Sequence, residues 1–371
     1  VSRLQALTEK GQAIWLDYIR RDMLEDGGLE AMVQEDGITG VTSNPAIFNK
    51  AIGETNLYDD EIQGLLADEP NLSTLEIYER LAFSDIRKAA DVLAPVFDRT
   101  KGADGFVSLE VSPHLARDTE GTLEEARRFW QSVNRPNLMI KVPATVEGIP
   151  ATEELLASGI HVNITLMFSL RHYEDVAAAY LRGVERSAHP ERAASVASFF
   201  VSRVDSLIDR RLGEIGTAEA SGLRGRVAIA NSKLTYARYR EIFEGESFAL
   251  LGARGARPQR VLWASTSTKN PDYRDVLYVE DLIGPETVNT LPPATLEAFR
   301  DHGEAAETLT AGLEEAWRTL SRLESVGVDL AAATEELQEE GLAKFAHPFD
   351  QLLASLEEKR QSLEAAVTAG G

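Results

Sequence analysis

The chain has no cysteine among its 371 residues, which excludes disulfide frameworks, thiolate zinc sites and thiol catalysis. That absence fits a reducing compartment. Long apolar runs are also missing: none approaches the roughly 18 residues that a membrane-spanning helix needs. No basic segment leading into an apolar stretch opens the sequence, so no secretory signal is expected and a cytoplasmic location is the default. Basic residues are scarce beside acidic ones, 38 against 60, giving a formal charge of −22. The imbalance argues against nucleic acid or an anionic membrane as partner. Any phosphate-bearing substrate must then be held by local arginine or lysine, against the overall field. No Walker-type loop occurs, no Gly-rich turn follows the first candidate strand, and GARG at 252–255 is only a short glycine–arginine loop. The six histidines, His114, His161, His172, His189, His302 and His347, lack metal-site spacing. Neither a metal nor a cofactor is expected.

What the chain does have is alternation. Short β-type runs at 14–17, 38–42, 106–111, 138–142, 161–167, 195–200, 260–265 and 287–290 are separated by helical segments, the pattern of βαβ units and a parallel sheet. Ser73 with Glu76, and Thr122 with Glu125, have capping-box spacing. Ser169 similarly precedes an apolar run over 176–184, and Ile77, Leu81, Val92 and Val96 fall near helical spacing. Eight strand-like runs predict a single closed (β/α)8 TIM barrel spanning 1–371; a doubly wound open sheet is the alternative. Segments 49–71 and 213–225 are expected as extra helices or loops, and the region from about residue 293 as an acidic helical tail. In that tail Glu335, Glu336, Glu339 and Glu340 are expected to form a solvated face, and 368–371 to fray.

One residue stands out within the apolar run LMIKVP at 138–143, namely Lys141. Burying an ammonium is costly, and a buried lysine tends toward the neutral amine that can attack a carbonyl. The plain alternative is a strand-end lysine that snorkels to solvent. In a barrel, catalytic groups gather at the C-terminal ends of the strands. There the sequence offers Asp17, Asn44 (within TSNP), Glu110, Lys141, Asn163 with Thr165, Ser198 and Ser265. Singly, each has a structural explanation: Asp17 as a helix N-cap, Asn44 as a turn former, Glu110 as a surface acid and Thr165 as an ordinary strand residue. Together they suit Schiff-base chemistry, in which a lysine attacks, carboxylates move protons, and amides and hydroxyls hold a polyol.

The motifs GVTSNPAIF (40–48), VSLEV (107–111), IKVPAT (140–145), VNITLMFS (162–169), SFFVSR (198–203), VAIANSKL (227–234), WASTSTKNP (263–271), VNTLP (288–292) and GLAKFAHPFD (341–350) resemble, in order, those of the transaldolases in their longer bacterial and plant-like form. The resemblance implies a barrel of class I aldolase type and transfer of a dihydroxyacetone unit. Sedoheptulose 7-phosphate and glyceraldehyde 3-phosphate would give erythrose 4-phosphate and fructose 6-phosphate, in the pentose phosphate pathway. It implies Lys141 as the Schiff-base lysine and Asp17 as the acid handling the C4 hydroxyl proton. Glu110 would act through a water positioned by Thr165. Asn44 and Asn163 would hold the dihydroxyacetone part, with Ser198 and Ser265 as further contacts. Arg203 matches a phosphate-gripping arginine. Where shorter members carry a second arginine after the seventh strand, this chain offers Lys269, which could equally be an exposed loop lysine. The expected partners are small sugar phosphates, and the chain is expected as a monomer or homodimer. Two other readings stay open: a simple aldolase of the same superfamily, and a non-catalytic binding barrel.

Overall fold

The computed structural model describes residues 2–370, with side chains as far as Leu363. Eight parallel strands follow one another in chain order and close into a barrel. They are β1 (Gln12–Asp17), β2 (Ile38–Thr42), β3 (Phe106–Glu110), β4 (Leu138–Pro143), β5 (Val162–Met167), β6 (Ser195–Phe200), β7 (Arg260–Ala264) and β8 (Thr287–Leu291). β8 returns to β1, setting Gln12 beside Thr287 and Leu16 beside Leu291. The expected open-sheet alternative is thereby excluded.

Parallel strands need crossover connections, and helices Thr74–Arg99, Thr119–Val133, Gly148–Ala157 and Leu170–Arg186 supply them after β2, β3, β4 and β5. Ser202–Ile215 and Val227–Phe243 follow β6. Each buries an apolar stripe on the barrel; in the first, Ile77, Leu81 and Val96 are fully buried. Ser73 caps that helix with Glu76 in a capping box, and Ser169 caps Leu170–Arg186. The Thr122–Glu125 pair does not behave as expected. Asp118 caps this helix instead by accepting from Gly121 N, and an Asp at that position outcompetes a Thr one turn later. Thr122 then donates to Leu115 O and Glu125 accepts from Ser112 N, inside the first turns.

Large side chains pack both faces of the barrel wall. Trp15 points inward and Trp263, on the alternate face of β7, packs edge-on against Phe199; both are wholly buried, large apolar side chains contributing roughly 1.5–3 kcal/mol or more on burial. Trp15 fits because its neighbour on β2 is Gly40, where a Cβ would lie 2.4 Å from the indole atoms. The β1–β2 register shifts at this point, between Ile14 and Trp15. β1 begins at Gln12, earlier than the apolar pattern indicated, because that polar side chain is buried and donates to Leu282 O.

Segment 49–71 contributes a π-helical turn (Asn49–Gly53) and the helix Asp59–Asp68, and 213–225 contributes the short helix Ala218–Ser221. The GARG sequence lies just before β7, at the opposite end of the barrel from the strand C-termini. There Arg254 donates to Glu185 O and Ser187 O. After β8 come the helices Pro293–His302, Leu313–Ser325 and Leu330–Gly370. The last, called the C-terminal helix below, crosses the mouth of the barrel. Glu335, Glu336 and Glu339 are exposed and Glu340 half-buried, but they are far from idle: Glu335 meets His172, Glu336 meets Arg211 and Glu339 meets Arg117 on the barrel, while Glu340 pairs with Lys344 on its own helix. Expected as a solvated face, the first three also dock the helix. Of the stretch expected to fray, Gly371 lies outside the described residues and the side chains of 368–370 are not described. No described helix is long and apolar enough to cross a membrane.

Candidate active site

The parallel register fixes which strand-end residues are neighbours. Glu110 on β3 pairs with Lys141 on β4, and Lys141 pairs with Asn163 on β5. Neighbours at one level of a barrel point the same way, so Glu110, Lys141 and Asn163 all project inward. Lys141 is 5% exposed. Its Nζ donates to Ser43 O at 3.2 Å and lies 3.3 Å from Glu110 Oε2. The Phe345 ring of the C-terminal helix sits 5.3 Å from that nitrogen.

Asp17 ends β1 beside Thr42, whose hydroxyl donates to Asp17 Oδ1 at 2.8 Å and lies 2.6 Å from the Thr290 hydroxyl on β8. A Thr hydroxyl has one proton. With Thr42 donating to Asp17, Thr290 therefore donates to Thr42.

Asn44 caps the helix Pro45–Phe48 through its side-chain oxygen, which accepts from Ile47 N at 3.0 Å. The turn-forming role and a cavity position coincide in this residue. All the expected site residues except Glu110 and Asn163 line one cavity of about 230 Å³, joined there by Thr42, Phe200, Ser267, Thr290, Pro292 and Phe345. Asn163 is wholly buried, donating to Ser108 Oγ and accepting from Ser198 Oγ at 2.6 Å. It stands behind Ser198. Glu110 stands behind Lys141, its buried Oε2 ion-paired with that amine. Thr165 Oγ1 and Arg203 Nη1 are buried and unpartnered. Such atoms are costly unless something else satisfies them.

The far end of the cavity is cationic. Arg203, in the first turn of Ser202–Ile215, packs its guanidinium 5.0 Å from the Phe200 ring centroid. Lys269 lies on the loop after β7 and donates to Ser267 Oγ at 2.6 Å. Ser265, in left-handed backbone at φ 55°, accepts a backbone hydrogen bond from Ser202 N and lies 2.9 Å, hydroxyl to hydroxyl, from Ser202. These contacts tie the β7 loop to the helix that carries Arg203. Burial pulls the Arg203 value down, and partial desolvation at the cavity wall with the nearby Arg203 charge lowers Lys269, although that side chain is largely exposed. An anion between them would relieve both penalties.

Burial dominates the carboxylates too. It raises Asp17, against the lowering effects of the Lys141 charge and the Thr42 hydrogen bond. It pushes Glu110 up to about 7, with the Lys141 charge again opposing. A carboxyl that titrates near neutrality beside an amine suits proton transfer in both directions. Among the described residues no cluster of His, Asp or Glu could hold a metal ion.

Sequence reasoning passed over Thr290 and Phe345. Thr290 was accessible to the strand-end rule, since it lies on the eighth strand at the same face as its counterparts. Phe345 carried a signal only in the GLAKFAHPFD stretch, with nothing local to show that it reaches Lys141.

A closed barrel with a buried lysine beside a near-neutral carboxyl defines a class I, amine-based aldolase architecture. The family model described as transaldolase/fructose-6-phosphate aldolase matches residues 14–356, and the chain belongs to that family. It is 49% identical to a transaldolase of Thiobacillus denitrificans over 93% of this chain and 97% of that protein. It is 49% identical to a transaldolase of Thermobifida fusca over 95% and 96%, and 45% identical to transaldolase 2 of a Nostoc species over 97% and 98%.

Proposed function

We propose that this chain works as one transaldolase unit, barrel and C-terminal helices together, with Lys141 as its nucleophile. The enzyme moves a dihydroxyacetone unit from sedoheptulose 7-phosphate to glyceraldehyde 3-phosphate, releasing erythrose 4-phosphate and forming fructose 6-phosphate. The observation that carries the reading is the buried Lys141 Nζ, 3.3 Å from Glu110, facing a cavity whose other end holds Arg203 and Lys269.

The steps follow from the residues. Glu110 is the group placed to take a proton from Lys141, whose neutral amine attacks the ketose C2 carbonyl. The resulting carbinolamine loses its hydroxyl as water once Glu110 returns a proton through a water held at Thr165, leaving an iminium. Asp17 then takes the C4 hydroxyl proton. The C3–C4 bond breaks, its electron pair passes into the iminium to give an enamine, and the aldose departs. Addition to the acceptor reverses these events, Asp17 giving the proton back. The Thr290–Thr42 chain donates toward Asp17 and holds its carboxylate in place. Asn44 and Ser198 hold the three-carbon fragment, with Asn163 orienting Ser198. Arg203 and Lys269 bind the phosphate, aided by Ser265. The unpartnered Arg203 Nη1 supports this assignment, since a guanidinium fork matches phosphate oxygens. A cytoplasmic monomer or homodimer is the setting we assign.

Transfer and simple aldol cleavage separate in one assay. With fructose 6-phosphate alone the enzyme should release no more than one equivalent of glyceraldehyde 3-phosphate. With erythrose 4-phosphate added, release should become continuous and match sedoheptulose 7-phosphate formation. Continuous release without an acceptor would make the chain an aldolase.

A further inference from the structure

The strand that carries Thr165 is irregular at that point. The β5–β6 register shifts between Ile164 and Met167, and Leu166 adopts left-handed backbone at φ 63°. A branched-chain residue is strained there, and such a conformation persists only when its surroundings hold it. Thr165 O accepts from Ala144 N at 2.7 Å. The carbonyls on either side of this contact, Ala144 O and Leu166 O, both accept from Gln338 Nε2 on the C-terminal helix, at 3.0 and 3.1 Å. Three residues on, Gly341 lets the helix approach so closely that a Cβ there would lie 2.8 Å from Leu166 Cδ2. One turn further, Phe345 faces Lys141. Residues 338, 341 and 345 share one helix face by their spacing, and Gln338 is 9% exposed.

We propose that Gln338 is a positioning residue for the reaction. Its amide links the ends of β4 and β5, holds Leu166 in its strained conformation, and so aims the unpartnered Thr165 hydroxyl at the space beside Lys141. The proposal rests on the transaldolase reading above, in which Thr165 holds the water used in forming and hydrolysing the Schiff base. The carbonyl clamp bonds Ala144 O, just past β4, and Leu166 O on β5, not Arg203 or Lys269. Loosening it therefore slows turnover without weakening phosphate binding.

The test is Gln338→Met, which keeps the volume and removes the donor. kcat should fall about tenfold or more, as a small misplacement of a reacting group allows, while KM for fructose 6-phosphate stays within about twofold. In a Thr165→Ala background the same change should cost almost nothing further, because both substitutions remove one function. Gly341→Ala, which lifts the helix from Leu166 without touching Gln338 and favours the helix itself, should reproduce the kcat loss and the same non-additivity. It decides the matter should Gln338→Met not fold. Wild-type kcat in the folded variants, a rise in KM alone, or an equal loss in the Thr165→Ala background would overturn the proposal. Failure of the transaldolase reading is separate: the wild-type enzyme would then show no acceptor-dependent transfer.

Discussion

Glu110 shows how burial, more than any single partner, sets the chemistry of a side chain here. The Lys141 charge favours its ionised form, yet desolvation outweighs that attraction and leaves the carboxyl titrating at about 7. The consequence for stability has a definite sign. An acid whose folded value lies above its unfolded one binds more protons when folded, so its contribution is full below the unfolded value near 4.5 and is lost as pH rises through 7. The loss amounts to roughly 3 kcal/mol in total. Glu110→Gln removes this dependence. The melting temperature of the wild type relative to the variant should decline between pH 5 and 8, and a constant difference would contradict the buried-acid description. In turnover the variant should lose about 100-fold or more in kcat, together with any inflection of the profile near pH 7.

The elements differed in how much of them the sequence disclosed. The strands were legible because each is a short apolar run bounded by turn signals, and a parallel barrel buries both faces of a strand. Asp17, Lys141 and Thr165 could be placed at strand ends for the same reason. Gln12 was not legible as strand, since a buried, hydrogen-bonded glutamine reads like loop. Thr122 was misread because a capping pattern inside a first turn is indistinguishable from one at its start until Asp118 is seen to cap. The β5 irregularity at Leu166 was invisible, because nothing in VNITLM marks a left-handed residue. Close packing between elements also has a testable consequence. Gly40→Ala would drive a methyl into the Trp15 indole and separate β1 from β2 just below Asp17 and Thr42. A destabilisation of about 1–3 kcal/mol is expected, read as a lower denaturation midpoint with an unchanged m-value. A variant as stable as the wild type would mean that the two strands can part without cost.

Across the whole molecule, acidity and function are arranged in opposition. A chain of formal charge −22 gathers Lys141, Arg203 and Lys269 into one cavity, where burial and shared wall residues let local cations prevail over a distant, screened negative field. Composition foretold that such cations would be needed, and the resemblance to transaldolases pointed to Arg203. Lys269 is at once an exposed loop lysine and part of the cavity wall, a combination that spacing alone does not disclose. The C-terminal helix was the least legible part. Its acidic residues suggested a solvated surface, yet Phe345 and Gln338 reach inward to close the site. That closure joins residues about 200 positions apart in sequence, a separation at which local pattern carries no information.

The most direct test of the central claim is borohydride reduction of the enzyme in the presence of fructose 6-phosphate, followed by peptide mapping. A single stable adduct carrying the three-carbon fragment should appear on Lys141 and be absent from Lys141→Ala. An adduct on another lysine, or none in the active wild-type enzyme, would contradict the Schiff-base assignment.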